Sequence, residues 1–436
     1  MKISVIGCGY LGAVHAASMA ELGHEVIGID IDERKIALLR DGKPPFFEPG
    51  LAEVLTTATR SGRLRFSTEL ADAAGATVHF VAVGTPQRAG SNAADLSYVD
   101  AAFDGLLPYV AAGDLVVGKS TVPVGTAARL AEKYAAAGSG ASVAWNPEFL
   151  REGYAVKDTI SPDRLVYGLP AGERGSAAKA QLDEVYASAL AHNTPLVVTD
   201  YATAELVKVA ANAFLATKIS FINAMAEIAD VTGADVTDLA DAIGYDSRIG
   251  RKFLNAGVGF GGGCLPKDIR AFRARAEELG VGDSLAFLKD VDEINIRRRT
   301  HVVDLVAKHF GSVAGRRIAV LGLAFKPDSD DIRDSPALDI AVQLKGLGAD
   351  VVATDPEAIA NSAAKHPQLT FVADCHEAVA GAEAVLVLTE WKVYREIDPV
   401  ALGDRVASKY VLDGRNVLDS ARWRDAGWTF RGLGKQ

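Results

Sequence analysis

Cysteine is scarce in this chain of 436 residues. Cys8, Cys264 and Cys375 are its three cysteines, and they lie far apart in the sequence. That spacing suggests neither a disulfide framework nor a zinc site, so we expect no bound metal.

Positive charge is also in short supply. The chain has 46 Lys and Arg against 56 Asp and Glu, a formal net charge of −10. This balance argues against a nucleic-acid partner and leaves no polybasic patch for a membrane surface. We expect no apolar run of 18 residues, and the N-terminus enters an apolar strand without a basic leader. The sequence therefore predicts a cytoplasmic protein, long enough for two or three domains.

A glycine motif near the N-terminus predicts a dinucleotide site. Gly7, Gly9 and Gly12 form G-x-G-x-x-G after a short apolar strand and at the start of a helix. A second strand ends in Asp30, 18 positions later. In a dinucleotide fold the pyrophosphate rests on this helix N-terminus, and the acid binds the adenosine ribose, which favours NAD over NADP. Lys35 could reach the same ribose or be a solvated surface lysine.

Further apolar runs predict parallel strands whose C-terminal ends carry polar residues. Residues 77–83 lead into Thr85 and Pro86, and residues 115–120 lead into Thr121. Such edges of open α/β sheets bind ligands.

A third run, residues 142–145, is followed by Glu148 and Glu152. Their spacing of four allows one helical face, and solvated surface acids are the alternative.

A long helix and a second doubly wound unit complete the predicted fold. Residues 200–232 lack proline and glycine and have apolar residues at helical spacing. Lys208 and Asn212 lie one turn apart on this helix, either as a functional buried pair or as an exposed polar stripe. Strands and helices start again after residue 315. We therefore predict an α/β protein with two Rossmann-like doubly wound domains joined by a long central helix, divided as 1–198, 199–300 and 301–436.

A loop with five glycines in residues 257–263 precedes Cys264. Pro266 suits the first turn of a helix, so Cys264 is predicted at a helix N-terminus, where a thiol becomes more acidic and more reactive. Lys267 and Asp268 follow within one turn. The alternative, an inert buried cysteine, fits poorly with so many glycines.

These motifs together resemble the nucleotide-sugar 6-dehydrogenases along essentially the whole chain. The motifs that carry the resemblance are Gly7-x-Gly9-Tyr10-x-Gly12, Glu48-Pro49-Gly50-Leu51, Val83-Gly84-Thr85-Pro86, Ser120-Thr121-Val122-Pro123-x-Gly125-Thr126, Asn146-Pro147-Glu148-Phe149-Leu150-x-Glu152-Gly153, Glu205-x-x-Lys208-x-x-x-Asn212, Arg248-Ile249-Gly250, Phe260-Gly261-Gly262-x-Cys264-x-Pro266-Lys267-Asp268 and Asp413-Gly414-Arg415. The family's usual loop has serine before the cysteine. Gly263 stands there instead, and we expect it to loosen the loop without removing the chemistry.

The resemblance implies a four-electron oxidation of UDP-glucose to UDP-glucuronate with two NAD⁺, through a thiohemiacetal and a thioester on Cys264. The catalytic residues it implies are Cys264, Lys208, Asn212, Asp268, Glu148 and Thr121. The cofactor-binding residues it implies are Gly7, Gly9, Tyr10, Leu11, Gly12, Asp30, Lys35, Thr85, Pro86, Thr121, Glu152, Lys267 and Arg333.

The resemblance also implies a set of substrate contacts and a homodimer in which Arg248 reaches the partner subunit's substrate. The substrate-binding residues it implies are Glu148, Phe149, Leu150, Glu152, Lys208, Asn212, Arg248, Phe253, Leu254, Asn255, Gly257, Gly261, Lys326 and Arg415.

Three other functions remain open at this point. One is a sister activity on GDP-mannose or another nucleotide sugar, although residues 248–255 look more like the UDP-glucose branch. The second is a two-electron dehydrogenase of the 6-phosphogluconate or hydroxyacid type. The third is a non-catalytic NAD-binding sensor or scaffold.

Overall fold

The computed structural model describes residues 1–435, which divide into two compact units. The N-terminal unit comprises Met1–Ala211 and Ala271–Gly280, and the C-terminal unit comprises Asn212–Arg270 and the chain from Val281 onward. The division into 1–198, 199–300 and 301–436 stays a prediction.

The N-terminal unit is built on an eight-stranded sheet with the order β3-β2-β1-β4-β5-β6-β7-β8. All neighbouring strands are parallel except the antiparallel β6–β7 pair. The strands are β1 Lys2–Ile6, β2 Glu25–Ile29, β3 Leu64–Ser67, β4 Val78–Val81, β5 Leu115–Gly118, β6 Ser142–Trp145, β7 Leu165–Gly168 and β8 Leu196–Thr199. The first six positions follow the order 3-2-1-4-5-6 of a dinucleotide-binding fold.

Helices cover both faces of this sheet and bury its apolar strands in two clusters. The helices are α1 Tyr10–Glu21, α2 Glu33–Arg40, α3 Leu51–Arg60, α4 Ser97–Leu106, α5 Thr126–Ala136, α6 Ala155–Ile160, α7 Glu173–Val185 and α8 Ala187–Ala191, with 3₁₀ turns at Leu70–Ala73 and Leu107–Tyr109. Burial on both faces explains why β1, β4 and β5 are almost continuous apolar runs.

The C-terminal unit repeats the same strand order in a six-stranded parallel sheet, β11-β10-β9-β12-β13-β14. Its strands are β9 Arg317–Leu321, β10 Asp350–Thr354, β11 Thr370–Phe371, β12 Ala384–Val387, β13 Tyr410–Asp413 and β14 Thr429–Gly432. The predicted class, two Rossmann-like doubly wound sheets and a long helix, is therefore confirmed.

The remaining helices include the predicted long one, α9, which continues from the N-terminal unit into the C-terminal unit. They are α9 Tyr201–Thr232, α10 Val236–Gly244, α11 Leu265–Glu278, α12 Phe287–Phe310, α13 Pro336–Gly346, α14 Ile359–Lys365, α15 Cys375–Val379, α16 Lys392–Arg395, α17 Pro399–Gly403 and α18 Ser420–Asp425, with a 3₁₀ turn at Gly282–Leu285.

The expectation that no 18-residue apolar stretch exists was wrong for α9. By length and composition this helix is apolar enough to cross a membrane, and 44% of its apolar window is buried in the protein. Core helices of soluble proteins meet the same criterion, so this feature is weak evidence for a membrane.

Asp355 follows β10 just as Asp30 follows β2, but its surroundings differ. Its Oδ2 accepts hydrogen bonds from Leu323 N at 2.7 Å, Ala324 N at 3.0 Å and Trp391 Nε1 at 3.1 Å. Its Oδ1 accepts two more from backbone N–H groups, and the residue is 2% exposed. This carboxylate is therefore saturated by the protein itself.

Candidate active site

The three motif glycines of the N-terminal unit have the different environments that a dinucleotide requires. Gly7 has a φ of +89°, which makes the tight turn after β1. A Cβ at Gly12 would lie 1.7 Å from Gly7 O, so this position must be bare for the helix to pack. A Cβ at Gly9 would meet no atom within 4 Å, which leaves open space at the N-terminus of α1. The loop fits a pyrophosphate group.

Asp30 follows β2 and holds the glycine loop through its carboxylate. Its role in ribose recognition stays a prediction. Its Oδ2 accepts hydrogen bonds from Cys8 N at 2.7 Å and from Lys35 Nζ at 3.0 Å. Lys35 is therefore ion-paired with Asp30. The alternative interpretation, a freely solvated surface lysine, was wrong. Burial raises the pKa of the Cys8 thiol, so this cysteine is a structural part of the loop.

Glu148 and Lys208 form a buried ion pair in the N-terminal unit. Glu148 Oε1 lies 3.0 Å from Lys208 Nζ, and Glu148 Oε2 accepts a hydrogen bond from Leu150 N at 2.7 Å. Lys208 is 5% exposed, so the exposed polar stripe considered for it was wrong. The carboxylate and the ammonium group are each held in a defined place, which suits groups that act on a substrate.

The prediction that Glu148 and Glu152 share a helical face was wrong. The chain from Asn146 to Gly153 is irregular, and α6 begins at Ala155. Gly153 has a φ of +81°, and Gly153 N donates a hydrogen bond to Glu48 Oε2 at 2.7 Å. This turn carries Glu148, Phe149 and Leu150, which line one cavity, and the roles that the family motif implies for them and for Glu152 stay predictions.

The loops after β4 and β5 lie at the same sheet edge. Thr85 is buried, Pro86 is exposed and Thr121 is half-buried. Ser120 Oγ donates a hydrogen bond to Val83 O at 2.6 Å and so ties the two loops together.

Glu205 on α9 fixes the loop that follows Thr121. Its two carboxylate oxygens accept hydrogen bonds from Gly125 N at 2.8 Å and Ala127 N at 2.7 Å, at the start of α5. Burial raises the pKa of Glu205 to about 7, against the effect of these N–H donors.

Cys264 is the residue that precedes α11, as predicted. Its carbonyl oxygen accepts the first helical hydrogen bond from Asp268 N at 3.0 Å, and the cysteine is exposed. The thiol therefore sits at the positive end of a helix of 14 residues, where a thiolate is stabilised.

Asp268 and Asn212 lie together in the C-terminal unit. Asn212 Nδ2 donates a hydrogen bond to Asp268 Oδ2 at 2.7 Å, and Lys267 Nζ lies 2.5 Å from Asp268 Oδ1. Asn212 is 7% exposed and Asp268 is 3% exposed, so the exposed alternative for Asn212 was also wrong. A buried carboxylate with a cation and an amide on it can bind and orient a polar group next to the nucleophile.

The glycine loop before Cys264 is fixed by buried side chains from α9 and α12. Gly257 N donates to Asn223 Oδ1 at 2.8 Å, and Gly257 O accepts from Arg298 Nε at 3.2 Å. Asn295 bonds both the N–H and the carbonyl of Phe260, at 2.7 and 3.0 Å. A Cβ at Gly261 would lie 2.4 Å from Asp334 O, which requires glycine there. The loop is thus a rigid part of the unit.

The side chain of Arg333 packs against Gly263, at the place where any other residue would have its Cβ. A Cβ at this position would lie 2.2 Å from Arg333 Cζ and 2.3 Å from its Nη1. Arg333 is oriented by Asp331, with Nε 2.9 Å and Nη2 2.6 Å from the carboxylate oxygens, and Gly262 N donates to Arg333 O at 2.8 Å. The absence of a side chain at Gly263 therefore leaves room for the Arg333 guanidinium at the residue that precedes Cys264. The expectation that this glycine loosens the loop stays a prediction.

The other predicted substrate residues all belong to the C-terminal unit and have varied settings. Arg415 donates to three backbone carbonyls, including Gly259 O at 3.0 Å, and lies 3.2 Å from Glu390. Lys326 Nζ lies 5.4 Å from the centre of the Phe325 ring. These cations stand where they could neutralise an anionic ligand, and their substrate contacts stay predictions.

Residues 248–255 form an exposed turn. Arg248 is ion-paired with Asp246, and its side chain is 88% exposed. Phe253 has a φ of +65° and is 41% exposed, Leu254 is 2% exposed, and Asn255 Oδ1 accepts from Arg251 at 2.8 Å. Left-handed backbone at a large aromatic residue is uncommon and often marks a functional loop.

A buried polar group beneath Glu148 escaped the sequence analysis. Lys119 Nζ donates to Asn146 Oδ1 at 2.8 Å and to Tyr186 OH at 3.2 Å. The signal available in the sequence was a lysine directly after the apolar strand β5.

Comparison with known proteins finds matches to one family along most of the chain. Three models of the UDP-glucose/GDP-mannose dehydrogenase family match in order: the NAD binding domain over residues 1–190, the central domain over 202–297 and the UDP binding domain over 319–420.

Two curated relatives are UDP-glucose 6-dehydrogenases. The one from Bacillus subtilis is 41% identical and covers 100% of this chain and 93% of its own length. The one from Rhizobium meliloti is 40% identical, with 100% of both proteins covered. A solved UDP-glucose dehydrogenase from Pyrobaculum islandicum superposes with a TM-score of 0.90 at 39% identity, covering 100% of this chain and 98% of that one. The chain therefore belongs to the UDP-glucose/GDP-mannose dehydrogenase family of NAD-dependent oxidoreductases.

Proposed function

We propose that this protein oxidises UDP-glucose to UDP-glucuronate, with two NAD⁺ consumed per sugar and a covalent intermediate on Cys264. The observation that carries the proposal is the exposed thiol of Cys264 at the N-terminus of α11, one turn from a buried Asp268 bound to Asn212. The relatives at about 40% identity support UDP-glucose as the sugar nucleotide.

The N-terminal unit would hold the coenzyme with its glycine loop and Asp30. When bound, NAD⁺ supplies a hydride acceptor for the alcohol and then for the covalently held intermediate. Thr85, Pro86, Thr121 and Glu152 are proposed to line the same site, together with Lys267 and Arg333.

The chain's own groups account for the other steps. The Cys264 thiolate attacks the C6 aldehyde, forming a C–S bond, and the carbonyl oxygen takes a proton to give a thiohemiacetal. Lys208 and Asn212 stabilise the negative charge that develops on that oxygen. Loss of the second hydride from C6 and of the hydroxyl proton leaves a thioester, which water cleaves to release the carboxylate and the free thiol. Glu148 takes the proton of that water, and Asp268 with Thr121 orients a water for proton transfer.

Most of the proposed contacts of the nucleotide belong to the C-terminal unit. Phe149 and Leu150, the loop from Phe253 to Gly261, Lys326 and Arg415 are the proposed contacts. Cationic groups at these places allow an acidic protein to bind a dianionic sugar nucleotide.

A homodimer is part of the proposal because α9 presents large apolar side chains to solvent. Phe214 is 66%, Phe221 48% and Ile228 52% exposed, and they recur at intervals of seven residues. An apolar helical stripe of this kind suits a second copy of the helix. Arg248 would then reach the partner subunit's substrate. We also propose that the enzyme is cytoplasmic.

The test is a count of NADH formed per sugar with UDP-glucose, GDP-mannose and UDP-N-acetylmannosamine as substrates. Two NADH per UDP-glucose, with an adduct on residue 264 in single-turnover mass spectrometry, is the expected result. One NADH per sugar would indicate a two-electron dehydrogenase. Preference for GDP-mannose would favour the sister activity, and substrate-independent NAD binding without reduction would indicate a sensor.

A further inference from the structure

Lys119 is a buried cation close to the turn that carries Glu148. It follows β5, is 6% exposed, and Lys119 Nζ donates to Asn146 Oδ1 at 2.8 Å, Asn146 O at 3.4 Å and Tyr186 OH at 3.2 Å. Tyr186 OH also donates to Asn146 Oδ1 at 2.6 Å, and Asn146 Nδ2 donates to Val166 O at 2.9 Å. Asn146 is thus fixed on both sides, two residues before Glu148.

The partners of this ammonium group are unusual because all of its hydrogen-bond acceptors are neutral. A buried lysine is normally paired with a carboxylate, since taking the charge out of water costs several kcal/mol. Burial lowers the pKa of Lys119 to about 8, and Glu148 opposes that effect. The ammonium group therefore stays charged at neutral pH, and Glu148 is the acid that stabilises it.

Lys119 and Glu148 line the same cavity, which has a volume of about 40 Å³. Lys119, Asn146, Glu148, Tyr186 and His15 all line it. This volume has room for a water molecule. His15 is 1% exposed with both ring nitrogens unpaired, which indicates that the cavity has polar walls.

In the proposed reaction, Lys119 would act as a second cation near Glu148. Lys208 is the direct partner of Glu148 at 3.0 Å, and it is also the cation proposed to stabilise the oxyanion of the thiohemiacetal. One ammonium group shared between substrate and Glu148 stabilises each of them less. A second, fixed cation keeps Glu148 negative while Lys208 serves the substrate.

We propose that Lys119 is a positioning residue for the Glu148 carboxylate: its buried ammonium group fixes the Asn146 end of the turn and stabilises the negative charge of Glu148. The inference rests on the proposed function for the role of Glu148 in hydrolysis, and on the cavity that both residues line for the coupling of the two charges.

The first experiment measures that coupling without any substrate. Urea unfolding midpoints are compared for the wild type, Lys119→Met, Glu148→Gln and the double variant. Lys119→Met keeps the length of the side chain and removes the charge. We expect non-additive midpoints, because Lys119 loses its acid when Glu148 is removed, whereas Glu148 keeps only Lys208 when Lys119 is removed. Tyr186→Phe is the matched control, since it removes a hydroxyl from the same network and keeps both charges, so its effect should add to that of Glu148→Gln.

The second experiment tests the role of Lys119 in thioester hydrolysis. The rate of thioester cleavage is measured in single turnovers between pH 5.5 and 9. In Lys119→Met the acid limb of the profile should move to higher pH, because the cavity that Glu148 lines loses a positive charge. Tyr186→Phe should leave the limb in place. The charged and titratable groups that face the two residues and are kept constant are His15, Asp158, Asp163, Arg164 and Lys208.

The outcomes separate the two proposals. Additive midpoints, or equal shifts of the acid limb in Lys119→Met and Tyr186→Phe, would overturn the role of Lys119. Non-additive midpoints combined with normal hydrolysis in Glu148→Gln would support the coupling and refute the proposed role of Glu148. If Lys119→Met does not fold, Lys119→Gln, which retains a donor for Asn146, takes its place in both experiments.

Discussion

Substituting Gly263 tests whether this residue governs the position of Arg333. A Cβ at residue 263 would lie 2.2 Å from Arg333 Cζ, so Gly263→Ser must displace the guanidinium. The described glycines with positive φ do not include Gly263, so serine can adopt the same backbone conformation. Serine also restricts the unfolded chain more than glycine does, which should raise the free energy of unfolding by about 0.4–1 kcal/mol. The Arg333 side chain is 62% exposed, and loss of its placement with Asp331 costs about 0–1 kcal/mol. We expect the free energy of unfolding to change by less than about 1 kcal/mol.

The chemical effect of Gly263→Ser should be larger than the effect on stability. A cation moved away from the thiol stabilises the thiolate less, and an exposed charge pair is worth up to about 1 kcal/mol, or about fivefold in rate. The assay is the rate of alkylation of Cys264 by iodoacetamide at pH 7, with the labelled peptide identified by mass. Burial raises the pKa of the Cys8 and Cys375 thiols, so both should react slowly.

Two further variants decide the cause. Gly263→Ala carries the Cβ without a hydroxyl and should slow alkylation as much as serine does. In an Arg333→Ala background, Gly263→Ser should have no further effect. If serine slows alkylation equally with and without Arg333, Gly263 does not act through the position of Arg333. If serine raises the free energy of unfolding by the full amount of about 0.4–1 kcal/mol and leaves the alkylation rate unchanged, the only effect of the glycine is to loosen the loop.

Three other predictions concern single groups. Cys264→Ser should abolish net turnover, because an oxygen ester cannot replace the thioester; normal steady-state uronate production would contradict this. Asp30→Ala should weaken NAD⁺ binding and leave UDP-glucose binding nearly unchanged in calorimetry, whereas equal losses for both ligands would refute its role. The pKa of Glu205, raised by burial from 4.5 to about 7, means that the folded protein keeps a proton that the unfolded chain releases. The unfolding free energy should therefore fall by up to roughly 3 kcal/mol as the pH rises from 4.5 to 7, and urea titrations of Glu205→Gln should lack this slope.

Most of the fold could be predicted from the sequence because its signals are local. Strands buried on both faces are unbroken apolar runs, and the long helix predicted for residues 200–232 is Tyr201–Thr232 in the structure. Cys264 at a helix start followed from Pro266 and the glycines before it.

The errors came from features that local spacing does not encode. A spacing of four suggested a helix for Glu148 and Glu152, but Gly153 with its positive φ makes a turn there. The Lys119 network joins residues 27 and 67 positions apart, so only the folded chain brings them together. The search for an unbroken apolar run overlooked α9 because a helix tolerates a few polar positions within an apolar window.

The saturated carboxylate of Asp355 has a consequence for the order of events in each catalytic cycle. Both of its oxygens are occupied by donors of the protein, and the residue is 2% exposed, so Asp355 is not available to a ribose. Both oxidations would then draw on one coenzyme pocket, in turn. In the proposed reaction, reduced coenzyme would depart and fresh coenzyme would arrive while the sugar is still attached to the sulfur. Coenzyme exchange would then be a step at which the cell's ratio of NADH to NAD⁺ could retain the half-oxidised product on the enzyme.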